Sequence, residues 1–239
     1  MTRSFRAVVV CALPIVMAAV VLGARAVSAG AQNQADLDKR FLDAWVQQRR
    51  IDLGVQASGA RVVIVKFNDW MCPGCKAWYQ MFKPVLAKYQ TPAGAIKYVE
   101  KDFPWNAQCN ASIQQTIPGH ESACAAAVAV RLAAEKGKRD AMAEWLYANQ
   151  PQTPADRLTM LDRVRAKAGE LLGIKDFASA YTLKVVDVRK DVSDGMAVQV
   201  RSTPTYFING IRATGPDGGM IPIHYVELAI QHELAKKTP

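Results

Sequence analysis

Four cysteines beyond the first thirty residues are the side chains best suited to chemistry. Cys72 and Cys75 form a C-x-x-C, and Cys109 and Cys124 have 14 residues between them. The C-x-x-C spacing belongs to redox dithiols and metal sites. The wider pair closes a loop suited to a structural staple of about 3 kcal/mol. The natural assignment is one working pair, Cys72–Cys75, and one stapled pair, Cys109–Cys124. A second redox pair that exchanges with the first is the sharper alternative. Two thiolates alone do not complete a metal site, and His120, His224 and His232 stand at no ligand spacing from them. No metal and no cofactor is therefore expected.

Thiol–disulfide exchange needs a thiolate, so the elements around the pair must supply one. Arg61 to Phe67 is a β-branched run that reads as a buried strand, and Asn68 to Met71 form a short loop. A helix then runs from Pro73 to about Tyr89, proline being favoured in a first helical turn. Unpaired backbone N–H groups and the positive end of the helix dipole both favour a thiolate at that N-terminus. Cys72 should be the exposed sulfur. Cys75, one turn inside, should resolve the mixed disulfide.

Downstream, Ala95 to Phe103 reads as a second strand and the middle of the chain as helical. Ser122 to Glu135 forms one helix, Met142, Trp145 and Leu146 mark another, and Thr153-Pro-Ala-Asp156 starts a third that Gly173 stops. A long helix carries Tyr181, Val185, Val188, Val192 and Met196 as its stripe. Thr205 to Arg212, with Asn209-Gly210 at its centre, is a hairpin signal, and Ile223, Val226, Ile230 and Leu234 lie on a closing helix. Residues 32–50 read as a docking helix with Leu37, Phe41 and Trp45 on one face.

The chain of 239 residues is 50% hydrophobic and 21% charged, which excludes disorder, collagen and coiled coil. Its net charge of +9 falls to +6 without the three arginines of residues 1–29, and no Lys/Arg block supports nucleic-acid binding. Arg3 and Arg6 precede an apolar run from Ala7 to Ala24, followed by small residues to Ala31. This reads as a secretory signal ending at Ala29 or Ala31, or as an uncleaved anchor. Cys11 is a plain apolar position within it. Both readings place the remainder outside the cytoplasm, in a periplasm or its equivalent. The expected organisation is a signal or anchor over 1–29, a helical lead-in over 30–58 and one domain over 59–236 with a helical insertion at about 118–175.

On these residues the chain resembles the DsbA-like branch of the thioredoxin superfamily. The resemblance rests on the strand Val62–Phe67, Cys72-Pro-Gly-Cys75 at the start of a helix, and Ser202-Thr-Pro-Thr-Tyr-Phe-Ile-Asn-Gly210. It implies an α/β thioredoxin fold interrupted by an all-helical subdomain. It also implies a cis Thr203–Pro204 bond against the Cys72 sulfur, with the Thr203 backbone free to pair with an extended peptide. The activity implied is that of a protein disulfide oxidoreductase, an oxidase first. Its partners would be reduced secreted proteins and a quinone-linked membrane reoxidase of the DsbB or vitamin K epoxide reductase type. A monomer is expected. A reductase or isomerase is the alternative enzyme, and a metal-binding chaperone the non-enzyme alternative.

Two departures bear on cysteine tuning. Pro73-Gly74 lacks the histidine that strongly oxidising members carry between their cysteines, which suggests a weaker oxidant. Lys66 stands six residues before Cys72, where many relatives place a buried acid. Buried, it would favour thiolate; at a strand end, it would snorkel to the surface. Asp69 reads as a loop carboxylate without that role, and His120 as a helix-start residue. Trp70 and Met71 read as core in part and as a candidate exposed apolar rim for unfolded substrate.

Overall fold

A computed structural model of the chain describes residues 32–89, 95–215 and 219–236. The signal or anchor reading of residues 1–29, and Cys11 with it, lies outside these residues. A first helix, α1, covers 32–47, ending short of the expected residue 50, and Phe41 stacks on Trp45 within it at 5.8 Å.

The body from residue 48 onward is built on a four-stranded sheet. In chain order it contains β1 (Val62–Asn68), α2 (Pro73–Tyr89), β2 (Ile96–Asp102), α3 (Ala123–Glu135), α4 (Arg139–Ala148), α5 (Pro154–Leu172), α6 (Phe177–Ala197), β3 (Thr205–Ile208), β4 (Ile211–Arg212) and α7 (Ile223–Ala235). The strand order is β2-β1-β3-β4. The β1 and β2 strands are parallel across the α2 crossover, and β3 runs antiparallel to both β1 and β4. As the inner strand covered on both faces, β1 reads as a continuous apolar run rather than an alternating one. Lys66 interrupts that run and pairs in register with Glu100 on one side and Tyr206 on the other.

This is a thioredoxin fold in which the helices α3 to α6 intervene between β2 and β3. The small side chains of α3 let α4, α5 and α6 approach it closely. Helix α5 starts on the expected capping box, with Thr153 accepting from the Asp156 N–H and Asp156 from the Thr153 N–H, and it ends at a left-handed Gly173. Helix α6 lies so close to the sheet that a Cβ at Gly195 would stand 2.6 Å from the Phe103 ring. The hairpin turn places Asn209 and Gly210 at positive φ, and the Asn209 side chain accepts from the Val63 N–H, tying the hairpin to β1.

The helical block also covers the loop leading into the C-x-x-C. Trp70 and Met71 are buried, not an exposed rim, and share one apolar core with Cys75, Val128, Leu146 and Tyr147. The physical reason is α4: Tyr147 packs on Trp70 at 5.1 Å between ring centroids, and the Arg139 guanidinium lies over the indole. The Trp70 Nε1 donates to Asp102 at 3.0 Å.

Candidate active site

The C-x-x-C sits where β1 turns into α2, and one buried carboxylate organises the turn. Asp69 Oδ1 accepts the Met71 N–H at 2.7 Å, its carbonyl accepts the Cys72 N–H, and its own N–H lies 3.4 Å from Cys75 Sγ. Asp69 Oδ2 takes the Trp105 N–H and the His120 Nδ1, each at 2.7 Å. From the segment just after α4, Gln150 Nε2 donates to the carbonyls of Trp70 and Cys72. The turn is thereby fixed from three sides, and α2 begins at Pro73 with the Cys75 backbone N–H turned toward the Cys72 sulfur.

The two sulfurs have different surroundings. Cys72 is half-buried, and Cys75 has no exposed surface. The Thr203–Pro204 bond is cis, and the Cys72 thiol donates to the Thr203 carbonyl at 3.2 Å. The Thr203 Oγ1 accepts from Trp105 Nε1 at 2.8 Å, which leaves its hydroxyl proton free for the sulfur. Gly74 belongs to the same contact: a Cβ there would lie 3.2 Å from Pro204 Cδ and 3.6 Å from Cys72 Sγ. That crowding accounts for the smallest residue between the cysteines. Cys109 and Cys124 form a disulfide, with Cα atoms 6.0 Å apart, at the entry to the helical block.

The cysteine electrostatics separate cleanly. Hydrogen bonding from the Cys75 thiol, aided by Thr203 and the Cys75 backbone, lowers the Cys72 pKa to about 6 against the opposing effect of burial. Burial drives the Cys75 thiol well above its ordinary value, with Lys66 pulling against that rise. Lys66 itself does not snorkel. It is fully buried, its ammonium 3.1 Å from Glu100 Oε1 and close to the Tyr147 ring. Burial lowers its pKa to about 8. Glu100 also accepts from Tyr98 and pairs with Arg139. Two cations therefore share one carboxylate beneath Cys75, and the tuning expected of Lys66 falls on Cys75.

Three residues that hold the site escaped the sequence reading. Trp105 and Gln150 carry no motif. His120 reads as a helix-start residue because α3 follows at Ala123, yet its ring is on Asp69. Among the described residues, no group of three or more His, Cys, Asp or Glu side chains is placed to hold a metal ion.

The shift at Cys72 has a measurable consequence. In the reduced protein its thiol titrates near 6, whereas an unfolded thiol titrates near about 8.5. Between those values the unfolded chain holds more protons, so this contribution grows as pH rises and is lost as pH falls through 6. Comparing reduced with disulfide-bonded protein at each pH removes the groups common to both. Urea unfolding should show the reduced form gaining on the oxidised one between pH 6 and about 8, by at most about 3 kcal/mol. A flat difference would contradict the low Cys72 pKa.

Residues 52–218 match a family model described as thioredoxin. The Na(+)/H(+) antiporter NhaA 1 of Mycolicibacterium vanbaalenii is 30% identical over 161 residues, which make up 66% of this chain and 23% of that protein. The chain thus spans about a quarter of the length of the curated relatives it matches. Among solved structures, oxidised BdbD from Bacillus subtilis aligns with a TM-score of 0.52 and 17% identity, over 79% of this chain and 98% of its own. A periplasmic thioredoxin-like protein from Salmonella enterica aligns at 0.51 and 20%, over 76% and 89%. The alpha-DsbA1 of Wolbachia pipientis aligns at 0.52 and 15%, over 73% and 86%. At these identities the likeness is one of fold.

Proposed function

We propose that this chain, which belongs to the thioredoxin family and has the DsbA-like fold, acts as an exported oxidase that donates the Cys72–Cys75 disulfide to reduced secreted proteins. The observation carrying this reading is the asymmetric pair: a half-buried Cys72 of low pKa beside a cis-proline loop, and a wholly buried Cys75 behind it.

A substrate thiolate attacks Cys72 Sγ, the Cys72–Cys75 bond breaks, and Cys75 leaves as a thiolate. A second substrate thiolate attacks the substrate sulfur of the mixed disulfide and expels Cys72. Two electrons pass to the enzyme, and the substrate keeps the disulfide. The low pKa makes Cys72 a good leaving group in the second step, and the Thr203 hydrogen bond holds it there. The departing Cys75 anion forms where no water solvates it. Lys66 offsets that charge and passes its proton to the sulfur, the thiol being the weaker acid of the two. A cleft lined by Glu100, Arg139, Tyr79 and Glu144 reaches the carboxylate that pairs with Lys66, and reprotonation would run through Glu100.

The reading includes an extracytoplasmic location, supported by the leader pattern of residues 1–29 and by the periplasmic neighbour. It also includes reoxidation by a quinone-linked membrane partner of the DsbB or vitamin K epoxide reductase type. No described helix is long and apolar enough to cross a membrane.

Equilibration in glutathione buffers tests the reading. A Cys72–Cys75 potential above about −200 mV is expected, as for disulfide donors; a value near −270 mV, the thioredoxin range, would replace the oxidase with a reductase.

A further inference from the structure

We propose that His120, seated on the Asp69 carboxylate by the Cys109–Cys124 clasp, is a positioning residue that keeps Cys72 ionised by cancelling the Asp69 charge. This role rests on the reading of Cys72 as the exchanging sulfur, and it gives the second cysteine pair a part in the site without any exchange between the pairs.

The geometry begins at Asp69. Its side chain has no exposed surface, and its charge works against a thiolate at Cys72. An uncompensated carboxylate in that position would erode the low pKa that disulfide donation needs. His120 Nδ1 stands 2.7 Å from Asp69 Oδ2, with the histidine side chain only 12% exposed. Burial opposes a charged ring, but the hydrogen bond to Asp69, the Asp69 charge and then the Cys72 charge together hold the His120 pKa above its ordinary value. The charged groups facing His120 are Asp69 from the loop after β1, Cys72 at the start of α2 and its own neighbour Glu121. A positive ring here supplies from outside the motif the charge that Pro73-Gly74 lacks.

The imidazole is held by its backbone. Buried Asn106 donates from Nδ2 to the carbonyls of His120 and Glu121 at 3.1 and 2.7 Å. The Asn106 carbonyl accepts the Cys109 N–H at 3.2 Å and lies 3.7 Å from Cys124 Sγ. The disulfide therefore brackets Asn106, Asn106 fixes residues 120 and 121, and these place the ring on Asp69. Trp105, next to Asn106, touches both Asp69 and Thr203, so this segment reaches both sides of Cys72.

Two measurements on the full chain test the proposal. The first is the thiolate absorbance titration of reduced wild type, His120→Gln, His120→Lys and Cys109→Ala/Cys124→Ala. His120→Gln should raise the Cys72 pKa by about one unit and, at pH 7, shift the glutathione equilibrium several-fold against the reduced form. His120→Lys should retain most of the wild-type value. The double alanine variant should move the pKa the same way as His120→Gln, and combining the two should add less than their sum. The second measurement needs no variant: an NMR titration of the His120 ring in both redox forms. By reciprocity its pKa must be higher when Cys72 is a thiolate than when Cys72 is in a disulfide. An unmoved Cys72 pKa in folded His120→Gln, or equal His120 values in the two redox forms, overturns the proposal. A wild-type protein whose Cys72 neither titrates as a thiolate nor exchanges with glutathione overturns the oxidoreductase reading itself, and this role with it.

Discussion

A Cys75→Ser variant should accumulate mixed disulfides through Cys72, while Cys72→Ser should form none and lose exchange altogether. The asymmetry follows from burial. Cys72 offers a thiolate at the surface of the helix N-terminus, and Cys75 offers no surface at all. In the wild type, a partner captured on Cys72 is released when Cys75 attacks from one helical turn away, an intramolecular step with effective molarities up to about 10⁵ M in favourable geometries. Serine cannot make that attack. The lifetime of the adduct should rise by at least about 10³-fold, limited then by external thiols. Non-reducing electrophoresis of the exported fraction, with and without reductant, reads the result. Reductant-sensitive adducts in Cys75→Ser, absent from Cys72→Ser and from the Cys72→Ser/Cys75→Ser pair, are the expected outcome. A binding module or metal chaperone predicts unchanged association in Cys75→Ser and no covalent adduct.

The parts of this site carried by local chemistry were legible in the chain. A β-branched run, a short loop and a Cys-Pro-Gly-Cys at a helix start place the pair, and Asn209-Gly210 places the hairpin whose first strand follows Pro204. Capping at Thr153 and Gly173 is local too. What the chain concealed lies in contacts across sequence distance. Lys66 on a strand covered on both faces gives no alternation from which to infer its direction, and its partner Glu100 is set by parallel register to β2. Trp70 and Met71 look like a rim until α4 is laid over them. His120 precedes α3 by three residues, where a helix-start role suffices locally; only the Asn106 bridge and the Asp69 contact reveal a different one.

The largest effect on stability should come from Glu100→Gln. Lys66 has no exposed side-chain surface, and Glu100 is the carboxylate at its ammonium, shared with Arg139. Removing that charge leaves Arg139, whose side chain is 34% exposed, free to turn toward water, but Lys66 has no such escape. Breaking one side of a buried pair costs about 3–5 kcal/mol. The lysine can limit the loss by giving up its proton, which from an unfolded value near 10.4 costs about 4–5 kcal/mol at pH 7. Lys66→Met, which removes the buried cation and fills a similar volume, should be milder in stability. It should nevertheless slow reduction of the Cys72–Cys75 disulfide, because the Cys75 anion would then leave without a nearby cation. The pH dependence gives the sign. A lysine whose folded pKa lies below its unfolded one is protonated more in the unfolded chain, so stability rises with pH across the interval between the two values. Urea unfolding of disulfide-bonded protein keeps the cysteines out of the titration. There, the deficit of Glu100→Gln should be largest near pH 6, shrink as the folded wild-type Lys66 gives up its proton near pH 8, and stay level above, the unfolded lysine being common to both. A deficit under about 1 kcal/mol at pH 7, the level of an exposed ion pair, would show that Lys66 does not depend on Glu100. A deficit that does not shrink between pH 6 and 8 would show that the buried lysine keeps its proton, and the proton transfer to Cys75 would fall with it.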